Sequence, residues 1–321
     1  MAERRVSLSL VREAWNRWVR PDYQPEPAWR WTWNPPLQRL ADAQLLWPTE
    51  YQWPPAAKWL FHLKHALSRL IPVETAPIDQ SDCEGVARVV LCPRGRNSQP
   101  RAIMIFDYSD YADRINHSAL KSSVVYFKFQ YHPDHAEDPR IVPGGYYPNS
   151  PWLYRHLVPL RALRDRQQWR FDVHGRFGLR YRADLRRRAI DLLTHQNRFR
   201  YEGGAKLIRH YEFLEELAVS KVAIDLPGNG DLCFRLIDQL ALGVTVVRPR
   251  SPVRLPEPLV NGVHVVECAE DGSDLVETCA RLLEDEPTRQ RIGQAAREYH
   301  DRFLHRDQLA RYVLHHVLER L

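Results

Sequence analysis

No run of eighteen apolar residues occurs in the sequence, so no membrane-spanning helix is expected. The opening residues Met-Ala-Glu-Arg-Arg-Val-Ser carry charge with no apolar signal core behind them, and the expected location is the cytoplasm. Cysteine is scarce. The five, Cys83, Cys92, Cys233, Cys268 and Cys279, are odd in number and form no C-x-x-C pair, which argues against both a disulfide framework and a zinc site. No constellation of metal ligands, internal repeat or low-complexity tract is visible. Membrane transport, metal-centred chemistry and repeat scaffolds are therefore poor fits.

What is present is a chain of 321 residues, enough for two domains of ordinary size, with 44% hydrophobic residues to fill their cores. The net charge of +6 comes overwhelmingly from arginine. It fits phosphorylated or polyanionic partners and equally a genome rich in arginine codons, so charge alone leaves the partner open. Eight of the ten tryptophans precede residue 60, among prolines that forbid a long helix. Only Ala57 to Ile71 reads as helical there. Burial of the tryptophans is favoured over sugar or base stacking, because large aromatics are mostly buried.

Three short β-branched runs, Ala87–Cys92, Arg101–Phe106 and Ser122–Phe129, predict strands. The second ends in Asp107-Tyr108-Ser109-Asp110, delivering two carboxylates to a strand's carboxyl edge, where open α/β sheets bind ligands. From about residue 160 strand and helix patterns alternate in the manner of a doubly wound domain. The division expected is residues 1–160, with a Trp/Pro-rich leading segment, and residues 161–321, with the last helix packing back on the first part.

The most informative stretch runs from Asp225 to Gly243. Lys221–Leu226 predicts a strand, Pro227-Gly228-Asn229-Gly230 a turn, and Leu232, Leu236 and Leu240 a helix starting near Asp231 and stopped by Gly243. That spacing puts Asp231, Arg235 and Asp238 on one helix face. Glycines before a helix N-terminus, with an arginine one turn in, make an anion-binding turn. An ordinary βα turn carrying a surface ion-pair ladder fits these residues equally well.

The order of motifs decides between them. His174-Gly175-Arg176 is followed by Arg182-Ala-Asp-Leu185, then Ser220-Lys221, Gly228, Cys233-Phe-Arg235 and Gly243, then Val263–Val266, Asp274-Leu275, Ile292-Gly293 and Phe303. This pattern resembles the GT-B glycosyltransferases, specifically the Rumi-like protein O-glycosyltransferases and their relatives that modify lipopolysaccharide and capsule. The glycine loop is one residue longer than the family's usual form, and Cys233 stands where serine is common. The resemblance implies an α/β GT-B fold: two Rossmann-like domains facing each other across a cleft, the N-terminal one shorter and divergent. It implies a donor site for a nucleotide sugar, with UDP the expected nucleotide, at Gly175, Arg176, Arg182, Gly228, Asn229, Gly230, Asp231, Cys233, Phe234 and Arg235. His174 and Asp238 are further candidates. No metal and no cofactor beyond the co-substrate are implied. Asp107 resembles the family's catalytic base, Asp110 is its close alternative, and either would drive single displacement with inversion. The hydroxyl acceptor stays open among glycan, protein, small molecule and modified DNA base. A nucleic-acid-binding protein using the basic, tryptophan-rich surface is the rival reading.

Overall fold

A computed structural model describes residues 31–95 and 99–321. The leading segment before residue 31, with Trp15, Trp18 and Trp29, lies outside the described residues.

The first half builds one six-stranded sheet. Its strands are β1 (Ala43–Pro48), β2 (Val73–Ala76), β3 (Val86–Pro93), β4 (Ala102–Asp107), β5 (Val125–Lys128) and β6 (Ile141–Pro143), in the order β2-β1-β3-β4-β5-β6. All neighbours run parallel except at β3, which is antiparallel to both β1 and β4. The connection from β3 to β4 is correspondingly short, as an antiparallel neighbour allows. Helix α1 (Ala57–Leu67) lies between β1 and β2, and the short α2 (His117–Ser122) between β4 and β5.

Helix α3 (Trp152–Asp165) then leads into an all-parallel five-stranded sheet. Its elements follow in turn: β7 (Phe171–Arg176), α4 (Ala183–His195), β8 (Tyr201–Gly204), α5 (His210–Ala218), β9 (Ser220–Ile224), α6 (Phe234–Leu242), β10 (Thr245–Pro249), β11 (Val266–Cys268), α7 (Leu275–Glu284), α8 (Glu286–Tyr299) and α9 (Arg306–Leu318). The strand order is β11-β10-β9-β7-β8. Each half is thus a helix-flanked α/β sheet, and together they form the two Rossmann-like units of the expected GT-B class. Residue 160, the division drawn from sequence, falls inside α3, which packs against α5 and α6 of the second half.

The two halves are joined by apolar burial. Leu236, Ile237, Leu240, Ala241 and Leu242 of α6 are fully buried, each large side chain contributing about 1.5–3 kcal/mol. Gly243 closes that helix in the left-handed region, φ +72°, which glycine adopts without strain. Helix α9 packs against α1, and its Tyr312 hydroxyl donates to the Pro143 carbonyl at 2.8 Å. Trp47 and Trp59 are core residues, Trp47 stacking on Phe106, whereas Trp31 and Trp53 are exposed. Among the described residues no helix is long and apolar enough to cross a membrane. All five cysteines are free.

Candidate active site

Parallel strands β7, β8 and β9 end on a common edge, and a cavity of about 410 Å³ opens above it. The second half supplies most of the wall: Arg176 from β7, Arg186 from α4, Lys206 from the loop before α5, His210 at its start, and, Asp231 excepted, the turn from Gly228 to Arg235. The first half supplies Asp110, from the loop after β4, and Tyr146. Ligand sites at the carboxyl ends of parallel strands follow from the geometry of the doubly wound sheet.

The glycine turn is held from outside its own half. The Gln130 side chain donates to the Leu232 carbonyl at 3.0 Å and accepts from the Leu232 amide at 3.1 Å, a buried two-point clamp. The turn comes so close that a Cβ on Gly230 would lie 2.6 Å from the Gln130 amide group and 2.7 Å from the Asp110 carbonyl oxygen. Only glycine fits there. Helix α6 begins at Phe234, three residues later than the leucine spacing predicts, with Cys233 at its N-cap and no side chain capping it. Its first turn lines the cavity with Cys233, Phe234 and Arg235, and the Leu236 amide donates to the Cys233 carbonyl at 3.1 Å, which leaves the amides before it without a side-chain partner.

The later start dissolves the expected Asp231–Arg235–Asp238 ladder. Asp231 lies outside the helix, where its carboxylate accepts from Ser251 Oγ at 2.8 Å, and it does not line this cavity. Asp238 turns inward, buried, and its carboxylate meets His210 Nε2 at 2.8 Å. Burial lowers the pKa of His210, but the charge and the hydrogen bond of Asp238 together more than offset it, so the net direction is upward. Arg235 is oriented instead by Asp225, 3.2 Å away, and by the Leu226 carbonyl, to which Nη2 donates at 2.7 Å. Its guanidinium sits 5.2 Å above the Phe177 ring. Burial raises the carboxyl pKa of Asp225, and the charges of Arg235, Arg248 and Arg186 draw it back only in part. Three guanidiniums around one carboxylate leave a surplus of positive charge at the turn.

Arg186 is the functional candidate that the sequence reading missed. It is 5% exposed, and its guanidinium donates to the carbonyls of Pro227 at 3.0 Å and Gly178 at 2.5 Å, tying helix α4 to the turn. The signal was present. Arg186 stands three and seven residues before the buried Ala189 and Leu193, on the inward stripe of a helix otherwise crowded with solvated arginines. Arg182, predicted as a donor ligand, is exposed at the N-cap of α4 with φ +47° and does not line the cavity.

Arg176 lines the cavity but already holds two carboxylates. It forks Glu216 at 2.6 and 2.8 Å and also pairs with Glu202. The His174 side chain points at Glu216 as well, 3.0 Å from Oε2, and burial lowers its pKa, so it is a structural partner rather than a cavity group. Gly175 is likewise inside β7, against Phe177, with its carbonyl accepting from Tyr201 Oη at 2.6 Å.

The two candidate bases are separated by burial. Asp107 is 1% exposed and its carboxylate accepts four hydrogen bonds: from Tyr126 Oη at 2.6 Å, Lys128 Nζ at 2.8 Å, and Ser109 N and Oγ at 2.9 and 2.6 Å. Lys128 is its fully buried neighbour on the parallel strand β5. Asp107 therefore does not reach the cavity. It fixes the loop that carries Asp110. Asp110 is half-buried on the cavity wall, where burial raises its pKa while a hydrogen bond from Asn229 and the charge of Lys128 lower it, with a net upward direction. Tyr146 lines the cavity, whereas Tyr108, Tyr126, Tyr131 and Tyr147 are buried in cores and Tyr111 is exposed.

Comparison with known proteins bears on the half that carries most of this wall. No curated protein matches the sequence. One solved structure, a glycosyltransferase from Rickettsia africae ESF-5, aligns at 16% identity with a TM-score of 0.31. The alignment covers 50% of this chain and 42% of that one, and at this score it carries no weight. The family described as glycosyl transferase-like matches residues 155–319, more than half of the chain and nearly all of its second sheet and helices. The chain belongs to the glycosyl transferase-like family.

Proposed function

We propose that the protein transfers a sugar from a nucleotide-diphosphate sugar, a UDP-sugar in the first instance, to an acceptor hydroxyl. The observation that carries this is the shared cavity, with cationic diphosphate ligands on one wall and a carboxylate from the opposite half on the other. Arg186, Arg235 and the uncapped amides of α6 supply fixed positive charge for the diphosphate. Such groups stabilise the charge that develops on the leaving group without reorganising, and this supports a reaction that needs no metal.

Asp110, rather than Asp107, is the base in this reading. It takes the acceptor proton while the acceptor oxygen bonds to the anomeric carbon and the bond to the diphosphate oxygen breaks, the electron pair leaving with the diphosphate. One displacement of this kind inverts the anomeric centre. The nucleotide sugar is consumed as a co-substrate, with no separate cofactor. The order of motifs from His174 to Phe303 supports placement near the Rumi-like and lipopolysaccharide-modifying enzymes within the family.

A thermal-shift screen of nucleoside diphosphates and their sugars tests the donor assignment. A ligand that binds only the folded protein raises the unfolding midpoint by mass action. UDP and a UDP-sugar are expected to raise it in the wild type and to lose the effect in Arg235→Ala. Absence of a shift with every nucleotide would refute the assignment.

A further inference from the structure

A second cavity, of about 770 Å³, lies on the other face of the glycine turn, at the carboxyl ends of β10 and β11. Leu232 borders both cavities. Asp231 completes the partition, its carbonyl accepting from Arg248 Nη2 at 3.3 Å and its carboxylate from Ser251 Oγ at 2.8 Å. The loop that follows is fixed by its backbone. Val253 N donates to Ser251 Oγ at 3.1 Å, and Arg254 N donates to the Tyr131 carbonyl of the first half at 2.8 Å.

Three arginines face this space: Arg248, Arg250 and Arg254. Among the described residues, no carboxylate lies within 4.0 Å of any of them. Arg248 is 6% exposed, and its Nε is buried with no hydrogen-bond partner. The charge of Asp225 acts on it through space but leaves that donor unmet. A buried guanidinium N–H without an acceptor is costly; the Nε atoms of Arg88, Arg235 and Arg311 are also unmet, and of these four arginines Arg248 alone lines this cavity. Glu267, in register with Arg248 on the adjacent parallel strand, and Glu270 line the same wall. His132 and Asp134, 3.2 Å apart, line it as well, and the remaining lining is largely apolar, including the buried Val253 and Leu255.

We infer that this cavity binds a phosphorylated saccharide. The arginines match phosphoryl oxygens in charge and fork geometry, the two glutamates accept hydrogen bonds from saccharide hydroxyls, and the apolar wall receives the C–H face of the ring.

Isothermal titration with glucose 6-phosphate, glucose and inorganic phosphate tests this in the full chain. Arg250 and Arg254 are exposed, so Arg250→Ala/Arg254→Ala is a variant that keeps the fold, as its unfolding midpoint verifies. Glucose 6-phosphate is expected to bind more tightly than either fragment, to weaken about tenfold or more in the double variant through loss of charge-assisted bonds, and to be unaffected by Arg235→Ala. Binding that survives the double variant, that disappears in Arg235→Ala, or that is absent from the wild type overturns the inference. Equal binding of inorganic phosphate overturns the saccharide part. Failure of the donor assignment is separate, because it removes the UDP shift and leaves this titration unchanged.

Discussion

Replacing Asp107 and Asp110 by asparagine, one at a time, separates structure from chemistry at the carboxyl edge of β4. In Asp107→Asn the fully buried Lys128 loses its counter-charge, and the donors of Tyr126 and Ser109 face an acceptor with no charge and one oxygen fewer. Breaking a buried ion pair by removing one partner costs about 3–5 kcal/mol. At roughly 2–4 °C per kcal/mol, the unfolding midpoint should fall by roughly 6–20 °C. Asp110→Asn removes a half-buried carboxylate whose ionised form is disfavoured by burial, so stability should change by less than about 0.5 kcal/mol. Its kcat for sugar transfer should fall by about 10²–10⁴, the range for a lost general base. Circular dichroism melts and release of nucleoside diphosphate give the two readouts. If Asp107→Asn stays folded with lost turnover while Asp110→Asn turns over normally, the base assignment is wrong.

Two further outcomes follow from the same geometry. Gly230→Ala should destabilise by about 1–3 kcal/mol in urea unfolding and weaken UDP binding, because its Cβ meets the Gln130 amide group at 2.6 Å and Asp110 backbone at 2.7 Å. A variant as stable as the wild type would contradict the clamp. Glu216 is pushed up by burial, but bonds from His174 and Arg176 bring it down from its ordinary 4.5 to about 2. A depressed folded-state pKa stabilises fully above about 4.5 and is lost as the pH falls toward 2, so Glu216→Gln should flatten the acid limb of the melting profile in that window. An unchanged slope would remove Glu216 from the account.

The second sheet was legible because its strands are short apolar runs separated by strong turn and helix signals. The strand before the glycine turn, the turn and the leucine face of α6 all stand where the spacing put them, save for the start of the helix. That error came from local reasoning. Leu232 is placed by Gln130, 102 residues away in sequence, so the chain from Asp231 to Cys233 stays outside the helix. The same limit applies to the site. Arg235 and Gly228 were visible in a single motif, whereas Arg186 depends on how α4 docks on the turn. Asp107 and Asp110 looked interchangeable in sequence, and only the fully buried Lys128 shows which carboxylate is occupied. Arg176, Arg182 and His174 carried family weight. Their environments, a double carboxylate clamp, an exposed N-cap and a contact with Glu216, are tertiary facts.

The central claim is that the cavity between the two halves cleaves a nucleotide sugar at its diphosphate. The direct measurement is nucleoside diphosphate release from a panel of nucleotide sugars, led by UDP-sugars, by wild type, Asp110→Asn and Arg235→Ala, with unfolding midpoints recorded for each. The account predicts release by the wild type with at least one donor, and its loss in both variants while they remain folded. Release that persists in both variants, or none from any donor alongside steeply salt-dependent DNA binding, would contradict it.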